Sequence, residues 1–155
     1  MALVFSDTDI MAMLSEPKLI PEARAPTWKT KSGHKERDVA MRGESGRDYE
    51  VRLRQSLVNP LDFSIIVSTV VERTGQVFRL RRFNGKSHQH ANKLEGTAPF
   101  YDFHIHTATE RYQSSGHRED HFAEVTTAYG NIRGALAHAL GVCSITVQPG
   151  FFSFV

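Results

Sequence analysis

The residues from His34 to Ala108 repeat with a period of two, and nothing else in the chain constrains its fold as strongly. Between Tyr49 and Gln55, Tyr49, Val51 and Leu53 alternate with Glu50, Arg52 and Arg54, the pattern of a strand with one buried and one wet face. His34 to Met41, Leu61 to Glu72, Val77 to Phe83 and Phe100 to Ala108 read as four further strands, the second of them rich in the Ile, Val, Phe and Thr that suit a central position. Turn residues separate them at Gly43 to Gly46, Asn59-Pro60 and Thr74-Gly75. Asn84 to Pro99 is a polar loop that begins with Asn84-Gly85, a tight-turn pair.

Helices flank this region. Ser6 or Asp7 caps a short one that runs to about Ser15, with Ile10, Met11 and Leu14 on its apolar side. A second is expected from about Thr127 to Leu140, with Ile132, Leu136 and Leu140 at spacing four and Gly141 as C-cap. Lys18 to Lys31 reads as an irregular arm, which Trp28 pins to the body. The expected architecture is α+β: an antiparallel meander of about five strands with the N- and C-terminal helices packed on one face. Its parts are a helix and arm over 1–33, a core domain over 34–143 and an apolar tail over 144–155. The tail ends Phe151-Phe152-Ser153-Phe154-Val155 and requires a cover, from its own domain or from a partner.

Composition excludes several classes. At 155 residues the chain fits one domain with a substantial core. A net charge of +2 is too mild to demand nucleic-acid binding, so the distribution of charge matters more than its total. Cys143 is the single cysteine, which rules out an internal disulfide framework and points to a reducing compartment. The start lacks the pattern of a signal peptide, and no apolar run has the length of a membrane span, so a cytoplasmic protein is expected.

Chemistry concentrates between Arg81 and His106. Four of the eight histidines form two His-x-His pairs, His88 with His90 and His104 with His106. Period-two alternation places His104 and His106 on the same wet face as Arg52, Arg54, Arg79 and Arg81, opposite a core holding Phe78, Leu80, Phe103 and Ile105. Such a cluster suits a phosphate, an RNA strand or a metal ion. For metal-free cleavage of RNA, His104, His106, His88 and His90 offer acid and base, while Arg81 offers charge for the phosphate. Arg52, Arg54, Arg79, Lys86, Asn84 and Tyr101 are the candidate RNA contacts. A metal shared by the His pairs, with His88, His90 or Asp102 as a further ligand, is the weaker alternative, because Cys-x-x-Cys and His-Glu-x-x-His are both absent. No cofactor is expected.

The runs RLRRFNGKSHQHAN and EGTAPFYDFHIHTATERYQ, with LRQSLVNPLDFSIIV upstream, resemble an uncharacterised family of small bacterial and archaeal proteins over roughly Glu16 to Cys143. That pattern is in turn similar to TumE-like toxins, which are grouped with RelE-type ribonucleases of toxin–antitoxin pairs. The resemblance implies a metal-independent endoribonuclease toxin or a relative of one, with Arg81, His88, His90, His104 and His106 at the matching positions. Its partners would be RNA or the ribosome, together with a cognate antitoxin. The tail from Ser144 departs from the family. The competing expectation is a non-enzymatic phage or mobile-element inhibitor that binds a host nucleic-acid-handling or defence complex, with the apolar tail as a contact.

Overall fold

The computed structural model describes residues 4–22 and 25–152. The first three residues, two residues of the arm and the last three of the apolar tail lie outside the described residues. The elements run α1 (Asp7–Ser15), β1 (Lys18–Leu19), β2 (Lys29–Lys31), β3 (His34–Gly43), β4 (Asp48–Ser56), β5 (Phe63–Val70), β6 (Val77–Asn84), β7 (His104–Thr107), α2 (Glu110–Ser114), β8 (Ala123–Val125), α3 (Ile132–Val142) and β9 (Ile145–Thr146).

This overturns the expected fold class. Among the described residues the sheet has nine strands and three short helices accompany it, in place of an antiparallel sheet of about five strands with N- and C-terminal helices on one face. Its order is β8-β7-β6-β5-β4-β3-β1-β9, with β2 also on β3. The outer edge of β3 is divided: β2 pairs with it at His34 to Glu36 and β1 at Arg42 and Gly43. The pairing of β1 with β9 is parallel, so the sheet is mixed. The extra strands are two or three residues long, too short to show an alternation of their own.

One face of the sheet carries Val39, Met41, Tyr49, Val51, Leu53, Ile65, Val67 and Phe83, which join Ile10, Met13 and Leu14 of α1 and Ala135, Leu136 and Ala139 of α3 in a single core. Met13 takes the place expected of Met11, which is half exposed. α3 begins five residues later than the periodicity predicts, because Asn131 caps it through the Gly134 N–H (2.7 Å); Gly141 lies within the helix and Cys143 ends it. Thr109 caps α2 in the same way, through the Tyr112 N–H. α2 follows the last expected strand, in a stretch to which the sequence reading assigns no helix.

Tail and arm both fold onto the domain. Ile145 and Phe151 are buried in the core, while Thr146 and Gln148 to Gly150 between them are exposed. Trp28 lies between the cationic ends of Lys35 and Arg37, at 4.5 and 4.3 Å. Lys18, read from sequence as part of the arm, is fully buried. Its ammonium donates to the carbonyls of Leu14 (3.1 Å), Glu16 (2.8 Å) and Cys143 (2.8 Å), tying the end of α1 to the end of α3.

Candidate functional site

The opposite face is built from two cross-strand rows. In one, Asp38, Arg52, Ile66, Arg82, His106 and Ala123 are consecutive register partners from β3 to β8. In the next, Glu36, Arg54, Ser64, Asn84, His104 and Val125 are. His104 and His106 therefore do share a face with Arg52 and Arg54. Arg81 does not. A bulge leaves Leu80 without a partner, because Val67 pairs with Arg81 while the next residue, Ser68, pairs with Arg79. The extra residue reverses the phase of β6. Arg79 and Arg82 both emerge on the histidine face, and Arg81 turns to the core side, where its Nε donates to Thr107 Oγ1 at 3.2 Å.

The face is not open to solvent at its histidine end. The chain after Asn84 folds back over β6 and β7, held by a bridge between His90 and Phe100, and the segment before β8 closes over the other side. Six of the eight histidines form one run of ring contacts here, from buried His104 and His106 out to exposed His88. His90 stands at the centre, with ring centroids 4.7 Å from His106, 4.9 Å from His121 and 5.6 Å from His104. His88 contacts His104 and His117 contacts His121 at the two ends. His104 is 0% exposed and His106 3%, so neither presents an edge to a polymer.

Hydrogen bonds fix which nitrogen of each ring carries its proton. His104 Nδ1 lies 2.7 Å from the Asp102 carbonyl, which can only accept, so Nδ1 donates and Nε2 accepts from the Asn84 amide (3.4 Å). Asn84 Oδ1 in turn accepts from the Ser64 hydroxyl (2.8 Å). His106 Nδ1 likewise donates to the His121 carbonyl (3.1 Å). Asn92 is oriented by the Ala123 backbone, which leaves its Oδ1 to accept from His90 Nε2 (3.0 Å). Burial disfavours the charged form of all three imidazoles. Burial holds His104 down to about 4, and burial together with the neighbouring Arg82 holds His106 down to about 2. Burial also lowers His90 and His121.

The arginines of this face are each matched by a carboxylate. Arg52 forms two bonds with Asp38 (2.7 and 3.0 Å), Arg54 meets Asp62 (3.3 Å) and Arg79 grips Glu119 (3.1 Å). Fully buried Asp120 lies among Arg82 (3.1 Å), Arg79 (3.7 Å) and Arg118 (3.8 Å). Among the described residues, no group of three or more His, Cys, Asp or Glu side chains is placed to hold a metal ion.

One part of the site is accessible. A groove of about 480 Å³ runs beside the histidine cluster, lined by Arg54, Asp62, Ser64, Arg82, Asn84, Ser87 and His88 among others. The Asn84-Gly85-Lys86-Ser87-His88 run builds one wall, and Asn84-Gly85 is no tight turn. Asn84 ends β6, and the Gly85 N–H donates to the Phe63 carbonyl (2.9 Å) and the Lys86 N–H to Leu61 (2.8 Å). A Cβ on Gly85 would stand 1.9 Å from the Leu61 carbonyl oxygen, so only glycine allows this approach. The wall ends on His88, exposed, with Ser87 Oγ 3.2 Å from its Nδ1.

Of the residues singled out in the sequence, Arg54, Asn84 and His88 line this groove. Lys86 adjoins it through its backbone, and Tyr101 is exposed on the covering loop. His90, His104 and His106 lie behind it. Arg52 and Arg79 are on the same face, engaged with their carboxylates, and Arg81 is on the other. Sequence reasoning missed Arg82, Asp120, His117 and His121. The bulge hides Arg82, while His117, Asp120 and His121 lie between the last expected strand and the second expected helix, where no periodicity assigns them a face. Comparison of the chain with known protein families, characterised proteins and solved structures gives no match.

Proposed function

We propose that this protein acts on RNA, as a metal-independent endoribonuclease of the toxin–antitoxin or mobile-element kind, in the groove beside the histidine cluster. The observation that carries this reading is the groove itself, which brings an accessible imidazole, His88, together with the guanidiniums of Arg54 and Arg82. His88 takes the proton of the ribose 2′-hydroxyl, whose oxygen attacks phosphorus, and water protonates the leaving oxygen. Arg54 and Arg82 offset the charge that builds on the phosphate. His104 and Asn84 act as positioning residues that hold the wall in place. The test is incubation of the purified protein with total RNA, with and without EDTA. EDTA-resistant cleavage that His88→Ala and Arg54→Ala abolish, with folding intact by circular dichroism, supports the reading. Wild-type protein that neither cleaves nor binds RNA refutes it.

One observation favours the non-enzymatic alternative. The turn between β4 and β5 exposes Val58 (90%), Leu57 (51%) and Leu61 (37%) next to the groove, and the arginines around it already have carboxylate partners. Such a tip suits a protein partner better than a polyanion. A stoichiometric host protein recovered by wild type and by His88→Ala, and lost in Val58→Asp, would favour that reading.

A further inference from the structure

We infer that the groove is a pocket for a single nucleotide, whose phosphate replaces the Asp62 carboxylate on Arg54. The inference rests on the RNA reading for its choice of ligand and narrows it from a strand to one unstacked residue. Size is the first argument. A groove of about 480 Å³, walled on one side by the run after Asn84, falls in the range of small-ligand sites.

The second argument is the state of the two arginines. Arg82 is held from behind by buried Asp120, with its side chain 17% exposed, so it is fixed in place with its charge largely offset. Arg54 is held differently. It meets Asp62 through one nitrogen at 3.3 Å, and both side chains are 35% exposed. An exposed pair of this kind contributes little, whereas a phosphate can take the guanidinium through two parallel bonds. The Asp62 backbone is anchored, its N–H donating to the Asn59 carbonyl (3.0 Å) and its carbonyl accepting from Ser56 N–H (2.9 Å). Only the carboxylate needs to swing aside.

The third argument is the remaining lining. Ile66 lines it as an apolar patch, and Ser64, Asn84 and Ser87 line it as polar residues. That combination fits a base and ribose beside a phosphate, and is more than inorganic phosphate requires.

Calorimetric titration of the full chain with adenosine and uridine monophosphates, the matching nucleosides and inorganic phosphate tests this. The nucleotides should bind more tightly than either part alone. Asp62→Asn should tighten nucleotide binding by about three- to tenfold, because a competing charge is removed. Arg54→Ala should abolish it, and Arg52→Ala, outside the groove, should leave it unchanged. Nucleotides that bind no better than phosphate, or an Asp62→Asn variant with unaltered affinity, would overturn the pocket. RNA that is bound or cut while mononucleotides are ignored removes the pocket and spares the RNA reading. Mononucleotides that bind while RNA is neither bound nor cut do the reverse.

Discussion

Acid should destabilise this protein as soon as pH falls through the ordinary range of imidazole. His104 and His106 take up a proton near the ordinary value of 6.5 once unfolded, but only at about 4 and about 2 when folded. Between those limits the unfolded chain holds more protons than the folded one. The stability they contribute is therefore complete above 6.5 and is lost as pH falls. At about pH 5 each imidazole costs the folded state about 2 kcal/mol, and the pair about 4 kcal/mol relative to about pH 7.5. His90 and His121, also lowered by burial, add in the same direction. Set against a typical stability of about 5–15 kcal/mol, this is a large share. Urea unfolding at half-unit steps across that interval should show the midpoint falling steeply with little change in slope. Asparagine can place an amide N–H close to where Nδ1 donates. The double variant His104→Asn with His106→Asn should thus start less stable and lose far less on acidification. A wild-type stability that changes by less than about 1 kcal/mol over the interval would falsify the neutral, buried cluster.

Further outcomes follow from single contacts. Lys18→Met should cost about 2–4 kcal/mol in urea unfolding, because three buried carbonyls lose their donor; a loss under about 1 kcal/mol would show that water serves them equally well. Gly85→Ala should cost about 2 kcal/mol or more and broaden the amide signals of His88, since backbone must move to admit the methyl group. Asp120→Asn should destabilise by about 3 kcal/mol, with Arg82 left buried and uncompensated; Asp38→Asn, on a half-exposed pair, should cost under about 1 kcal/mol.

The long central strands were legible because their two faces meet different media. Tyr49, Val51 and Leu53 face the core, while Arg52 and Arg54 face water and carboxylates, and the alternation records it. The strand count was not legible. β1, β8 and β9 are fixed by partners distant in sequence, and two or three residues carry no period. In the site, the shared face of Arg52, Arg54, His104 and His106 followed from parity, whereas Asn84, read as the start of a loop, is paired with His104 by the end of β6. The burial of the histidines did not, since a loop lying across a polar face leaves no mark on the strand beneath it. The placement of Arg81 failed for a sharper reason. Parity arguments assume no insertions, and the extra Leu80 shifts the count by one.

The bond from Lys18 to Cys143 joins residues 125 apart in the chain. During synthesis the hairpins from β3 to β6 can close as each strand emerges, since each pairs with its neighbour in sequence. The N-terminal segment has no such option. β1 can gain its parallel partner, and Lys18 its third carbonyl, only after α3 and β9 have left the ribosome. Until then Lys18 lacks its third carbonyl, and its strand has only its antiparallel partner β3. The Lys18 contact is thus locked only once residues 125 positions further along the chain have been delivered.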